Sequence, residues 1–208
     1  MTGRAYRGLS AEQRLADRRE RLMMAAYTLF ANPGFPATTI ERLCTMARVS
    51  NRAFYECFSG REALMQAVYD RCVDETLQAV AKAMAGAPNS LDARIEHGVA
   101  EYVAFVTRDP RRAHIMHVEV RRAGDCLITA RQRAVGGFSR VMEEAAAAYP
   151  TRTPPNTHLL VLALIGALQE LLIEWVLAED PPSADDLVAT AVHIFRRSFN
   201  AGEATDER

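Results

Sequence analysis

Residues 50–58 read SNRAFYECF, and several of these side chains could do recognition chemistry. An Arg pairs with guanine edges or phosphates, an Asn with adenine or phosphate, and a Tyr hydroxyl with a phosphate oxygen. Phe54 and Phe58 lie four residues apart and share a helix face with Val49, which leaves Asn51, Arg52, Tyr55 and Glu56 on the other side. Helix starts close by, at Thr38-Thr39 and at Gly60-Arg61, would aim further backbone donors at an anion. The same nonamer could instead be a packed core helix, or hold a thiol site at Cys57. An ordinary three-helix bundle with a solvated polar face has this spacing too, so the pattern alone leaves the readings open.

Other reactive residues are scattered. His114 and His117 stand three apart, a spacing that metals use, but no third ligand accompanies them and no metal site is expected. The four cysteines (Cys44, Cys57, Cys72 and Cys126) form no CxxC pair and have no histidines at ligand spacing, which fits a reducing cytoplasm. Cys72 and Cys126 have no resolving cysteine at near spacing and are not expected to be redox sensors. An enzyme would need nucleophile, base or metal ligands gathered in one place. No such spacing occurs, so neither catalysis nor a cofactor is expected.

The elements that must position these residues are helical nearly everywhere. Leu22, Ala25, Ala26, Leu29 and Phe30 make one apolar stripe in a helix from about residue 10 to 31, stopped by Asn32-Pro33-Gly34. Thr38 with Glu41 has the form of a capping box before a short helix framed by Ile40, Leu43, Cys44 and Ala47. Arg48-Val49 make a tight connection, Ser50 is a good N-cap, and Val49 with Phe54 is placed as a hydrophobic staple. Ser59 with Glu62 repeats the capping box before a helix reaching about residue 84. Gly86-Ala87-Pro88-Asn89 breaks the chain, and further helices are predicted over about 90–108, 110–122, 124–148, 157–179 and 184–200. The expected fold is all-α, with about nine helices.

The chain has 208 residues with a net charge of −1, but the charge is unevenly placed. Residues 1–60 hold 9 basic against 5 acidic side chains, and residues 61–208 hold 16 against 21. A basic first segment on an acidic remainder suggests an anionic partner for that segment alone. The start, MTGRAYRGLS, has no apolar core of a signal peptide. The most apolar run, Leu159–Leu168, reads as too short to span a bilayer and is followed by Gln169, Glu170 and Glu174, so a buried helix and no membrane partner are expected.

The stretch GFPATTIERLCTMARVSNRAFYECFSGREAL, residues 34–64, closely resembles the DNA-binding motif of TetR-family (tetracycline-repressor-like) transcriptional regulators. The resemblance rests on Gly34-Phe35 with Thr38-Thr39, the Ile40/Leu43/Ala47 frame, Val49-Ser50, Phe54-Tyr55, Phe58 and the Arg61–Leu64 closure. It covers roughly residues 17–77, with the helix-turn-helix at 39–58. It implies that Thr39 and Tyr55 touch phosphates, that Ser50, Asn51, Arg52 and Ala53 open the groove-facing helix, and that Arg61 is a basic phosphate contact. Arg48 stands where the family usually has Gly, Asn51 replaces a frequent Lys, and Arg52 occupies a position that is often small. Glu56 is expected to be a surface charge or a partner of Arg52 rather than a base contact.

Residues 1–16, with Arg4, Arg7 and Arg14, read as a basic arm that is either a minor-groove ligand or a solvated leader. Residues 78–200 match the family only in length and helical character. By resemblance they would form a ligand-binding and dimerisation domain, with the helix pair at 157–179 and 184–200 making the homodimer and residues 201–208 a disordered tail. Candidate ligand residues are Tyr69, Tyr102, Phe105, Met116, Phe138, Met142 and Trp175, with His114, His117, Gln169 and Glu174 as polar groups. The same apolar residues could simply pack the core. The function implied is a repressor released from a palindromic, double-stranded DNA operator by a small, largely apolar effector. An activator or ligand-independent regulator of the same fold is the alternative, followed by a helical protein-binding adaptor.

Overall fold

The computed structural model describes residues 10–152 and 154–200. The arm residues Arg4 and Arg7 and the tail after residue 200 lie outside the described residues. Among those described, the secondary structure is helical, without a strand. The α-helices are α1 (Ala11–Leu29), α2 (Ile40–Ala47), α3 (Asn51–Cys57), α4 (Arg61–Ala85), α5 (Leu91–Thr107), α6 (Pro110–Ala113), α7 (Val120–Arg122), α8 (Ile128–Ala147), α9 (Thr157–Leu177) and α10 (Ala184–Asn200). A π-helical stretch, His114–Glu119, joins α6 to α7 into one rod. A second π turn, Phe30–Gly34, ends α1 where Asn32 leaves helical geometry (φ −156°, ψ 116°).

Local chemistry sets most boundaries. Ser10 and Gln13 form a reciprocal capping box at α1. Ser90 caps α5 by accepting from Ala93 N, and Asp109 caps α6, with Pro110 at its first position. Two expected caps are displaced. The N-cap of α2 is Thr39, accepting from Arg42 N at 3.3 Å, and not Thr38. Helix α4 starts at Gly60 with no side-chain cap, and not at a Ser59–Glu62 box.

Burial joins the helices. Helices α1, α2 and α3 pack together around Leu22, Phe30, Leu43 and Phe54, all fully buried, and onto the first half of α4 through Leu64 and Met65. The far half of α4 packs on α5, and α5 on α10, while α8 and α9 close the other side. At about 25 cal/mol per Å² of apolar surface, such continuous burial dominates the stability of the assembly. Helix α4 therefore belongs to both groups.

Helix α9 corrects one expectation. Its 21 residues, with mean hydropathy 2.0 over the most apolar window, are long and apolar enough to cross a membrane by length and composition. Only 28% of that window is buried within the chain, so α9 is not a fully buried helix. Val161, Leu164, Ile165, Leu168 and Leu172 face the core, while Leu159, Ala163 and Gly166 are exposed.

Candidate nucleic-acid interface and apolar cavity

The turn between α2 and α3 depends on Arg48, which adopts the left-handed conformation (φ 54°, ψ 49°). Its N–H donates to Cys44 O and Thr45 O, and Val49 N donates to Cys44 O at 3.0 Å. Arg21 on α1 donates from Nη1 to Ala47 O at 3.0 Å and to Arg48 O at 3.1 Å, which caps the carbonyls left open at the end of α2.

The turn delivers α3 with its two faces separated. Ser50 Oγ accepts from Ala53 N at 3.2 Å, so its hydroxyl serves the helix start. Phe54 and Phe58 are buried, with ring centroids 6.2 Å apart, and Arg19 stacks over the Phe58 ring at 4.2 Å. On the opposite side Asn51 is exposed, the Arg52 side chain is 90% exposed and Tyr55 is 59% exposed. Glu56 is held by Arg18 at 2.7 Å and by Arg52 at 3.5 Å. It is therefore occupied as an ion-pair partner.

Thr39, Ser50, Asn51, Arg52 and Tyr55 are thus all accessible on the α2–α3 unit. Three other expected contacts must be corrected. Thr38 is 0% exposed, and its hydroxyl bonds Leu29 O (2.9 Å) and Gly34 O (2.8 Å), so it fastens the end of α1 to the start of α2. Ala53 is buried with Phe54. Arg61 donates from Nη1 to Phe35 O and Thr38 O and stacks over the Phe35 ring at 4.4 Å, which ties α4 to the loop before α2. Its Nη1 is thus engaged inside the protein.

Glu119 carries no signal in the sequence beyond being one acid in an apolar run. It is fully buried, accepts from Phe35 N at 2.7 Å, and pairs with Arg122 at 2.8 Å. Gly34 (φ +108°) passes so close that a Cβ there would sit 3.2 Å from Glu119 Oε2. A second link joins α1 to α6, where the Tyr27 hydroxyl donates to Asp109 Oδ2 at 2.9 Å. Burial, followed by this bond, pushes the Tyr27 phenol well above its usual pKa, and the Arg111 guanidinium holds the Asp109 carboxyl below its own.

In the helices beyond, an apolar cavity of about 70 Å³ lies between α4, α5, α8, α9 and α10. Of the candidate ligand residues, Tyr102, Phe138, Met142 and Gln169 line it. Tyr69, Met116 and again Gln169 line a neighbouring, more polar pocket. Phe105, His114, His117, Glu174 and Trp175 line neither. Phe105 lies under Arg112 at 4.0 Å, half-buried His114 keeps a buried Nδ1 without a partner, and Trp175 Nε1 donates to Pro182 O at 3.1 Å. Glu174 is exposed. His117 is buried with its Nε2 3.4 Å from the Tyr102 hydroxyl, and burial, then Arg121, lowers its pKa to about 3. Among the described residues no group of three His, Cys, Asp or Glu could hold a metal ion.

The cavity residues that the sequence reading missed include Val80 and Met84 on α4, Ile95 and Gly98 on α5, Val141 on α8, and Phe195 and Phe199 on α10. Gly98 carries a faint signal, since a Cβ there would lie 2.9 Å from Met84 Cγ.

Comparison with known proteins agrees with this geometry. The family of bacterial regulatory proteins described as the tetR family matches residues 22–68, the segment that holds α2 and α3. An uncharacterized HTH-type transcriptional regulator of Bacillus subtilis, YerO, is 39% identical over 49 residues, which are 24% of this chain and 17% of that protein. The chain therefore matches less than a fifth of that relative's length. The fatty acid degradation regulator FadR of Bacillus halodurans superposes with a TM-score of 0.75 at 15% identity, covering 92% of this chain and 97% of that one. FadR of Bacillus subtilis, solved in complex with stearoyl-CoA, gives 0.75 at 13% identity over 88% and 98%. A tetR-family protein of Rhodococcus RHA1 gives 0.67 at 22% identity over 88% and 96%. At these identities the structural likeness is one of fold. Residues 22–68 thus match the tetR family of bacterial regulatory proteins, and the described residues share the all-helical fold of these solved structures.

Proposed function

We propose that this protein is a homodimeric, effector-released repressor that binds a palindromic operator in double-stranded DNA in the cytoplasm. Residues 17–77 are the DNA-binding domain in this reading, and residues 78–200 the effector and dimerisation domain. The observation that carries the reading is the polarity of α3. Phe54 and Phe58 anchor it, leaving Asn51, Arg52 and Tyr55 exposed beside Thr39 and Ser50. A seven-residue helix presenting an Arg, an Asn and a phenol from its first turns matches the demand of a major groove flanked by phosphates.

Dimerisation is supported by α9, whose Leu159 is 65% exposed and whose Gly166 has open space where a Cβ would be. A second copy covering this face would bury it and set two recognition helices about one DNA turn apart. A small, largely apolar effector is supported by the cavity lining. The stearoyl-CoA bound to the Bacillus subtilis FadR is consistent with such a ligand in a helical body of this shape. Release is a population shift, in which effector binding favours a dimer whose α3 helices no longer match successive grooves.

The test is selection of binding sites from random duplex DNA with the purified protein, followed by gel shifts on the selected site. A palindrome is expected, with binding weakened on Arg52→Ala and on Tyr55→Phe while the dimer persists. Selection of no sequence, or wild-type affinity in both variants, overturns the assignment.

A further inference from the structure

The pocket that adjoins the apolar cavity has a different chemistry. It spans about 480 Å³ between the α6–α7 rod, α8 and α9, and it is lined by Arg121 and Arg131 but by no Asp or Glu. Arg121 is fixed, donating from Nη1 to His117 O at 2.7 Å and from Nη2 to Gln169 Oε1 at 3.4 Å. Arg131 has no hydrogen bond or ion pair among the described residues. On the same wall Ser139 is buried and its Oγ has no partner. Burial pushes the neighbouring Tyr69 phenol up to about 12, against the opposing pull of Arg131 and Arg121.

Buried polar atoms are ordinarily satisfied, and a guanidinium facing a pocket without carboxylates offers its donors to an oxyanion or to water. The two chambers share a wall. Gln169 lines both, and the consecutive residues Phe138 and Ser139 on α8 line one each. A single molecule with an apolar chain and an anionic end fits that juxtaposition, with only the Gln169 side of α9 between its two parts.

We propose that the effector is an amphiphilic anion, with its chain in the apolar cavity and its carboxylate or phosphate at Arg121, Arg131 and Ser139. The inference rests on the cavity being the effector site and specifies what that site takes. The chain enters by displacing Met84 and Met142, unbranched side chains that line the cavity and repack at low cost. Arg121 is already oriented by His117 O, whereas Arg131 remains free to close on the anion.

The experiment is calorimetric titration of the full-length protein with decanoate, decyl phosphate and decanol, each below its micelle concentration. Inorganic phosphate serves as the control, and Arg131→Gln as the variant. The two anions are expected to bind at least about tenfold tighter than the alcohol, the scale of one charge-assisted hydrogen bond. Arg131→Gln should lower both anions toward the alcohol while leaving the alcohol unchanged, and the stronger anion identifies the head group. Equal affinity for all three ligands, or equal weakening of all three by the variant, refutes the anion chamber while the apolar cavity stands. Phosphate binding as tightly as decyl phosphate refutes the amphiphile. If no ligand with a decyl chain binds, the cavity is not an effector site, and both readings fall.

Discussion

Glu119 Oε2 accepts a 2.7 Å hydrogen bond from Phe35 N across 84 residues of sequence, joining the rod beside the cavity to the loop that starts the helix-turn-helix. The carboxylate is fully buried. Glu119→Ala strands a buried N–H donor and is expected to cost about 1–3 kcal/mol in chemical denaturation. Glu119→Gln keeps an acceptor and should cost less. If both variants are as stable as wild type, the bond contributes nothing to holding the two parts together.

Arg52 and Tyr55 are expected to separate binding from folding. Arg52→Ala should weaken operator binding by about 1–3 kcal/mol, the scale of one base or phosphate contact. The same variant should change stability by less than about 0.5 kcal/mol, because it loses only an exposed ion pair with Glu56 four residues on. A gel shift and a urea melt on the same preparation check both halves.

His117 should give the fold an acid-sensitive window. Burial lowers its pKa from 6.5 to about 3 in the folded protein. Between those values the unfolded chain takes up the proton and the folded chain does not, so stability rises with pH there. On acidification from pH 6.5 the loss should approach about 1.4 kcal/mol per pH unit. Asp92, Asp109 and Glu20, whose pKa values are lowered from 3.8, 3.8 and 4.5, act in the same direction only at still lower pH. His117→Gln should flatten the profile between pH 6.5 and 4.5, read from denaturant midpoints.

Arg48 should be improvable. A left-handed non-glycine residue costs about 1–2 kcal/mol, and glycine's greater freedom in the unfolded chain returns about 0.5–1 kcal/mol of that. Arg48→Gly is therefore expected to stabilise the protein by about 0.5–1 kcal/mol in the same assay. A loss of stability would mean that the aliphatic part of Arg48 contributes packing that its exposed position does not suggest.

Local signals were legible in the sequence, and contacts between distant segments were not. The stretches 91–107, 110–122 and 157–177 are bounded by caps, prolines and periodicity, all of which act within a few residues. The outward side of α3 follows from the spacing of Phe54 and Phe58. Thr38 misled because its neighbour Thr39 has the same chemistry, and only the path of the chain after Gly34 decides which hydroxyl turns inward. Arg61 misled because an arginine at a helix start serves an external phosphate and an internal carbonyl equally well. The cavity escaped because Val80, Gly98 and Phe195 come together only when three helices pack, and no residue among them is unusual alone.

Helix α4 has a mechanical consequence. Arg61 fastens its first turn to the loop before α2, and Val80 and Met84 in its last turns form part of the cavity wall. Its 25 residues make a rod about 37 Å long at about 1.5 Å per residue. A tilt of about 5° over such a length sweeps one end through about 3 Å, close to the rise of one base pair. Under the proposed mechanism, a methionine displaced at one end of this lever would set the other end out of step with DNA.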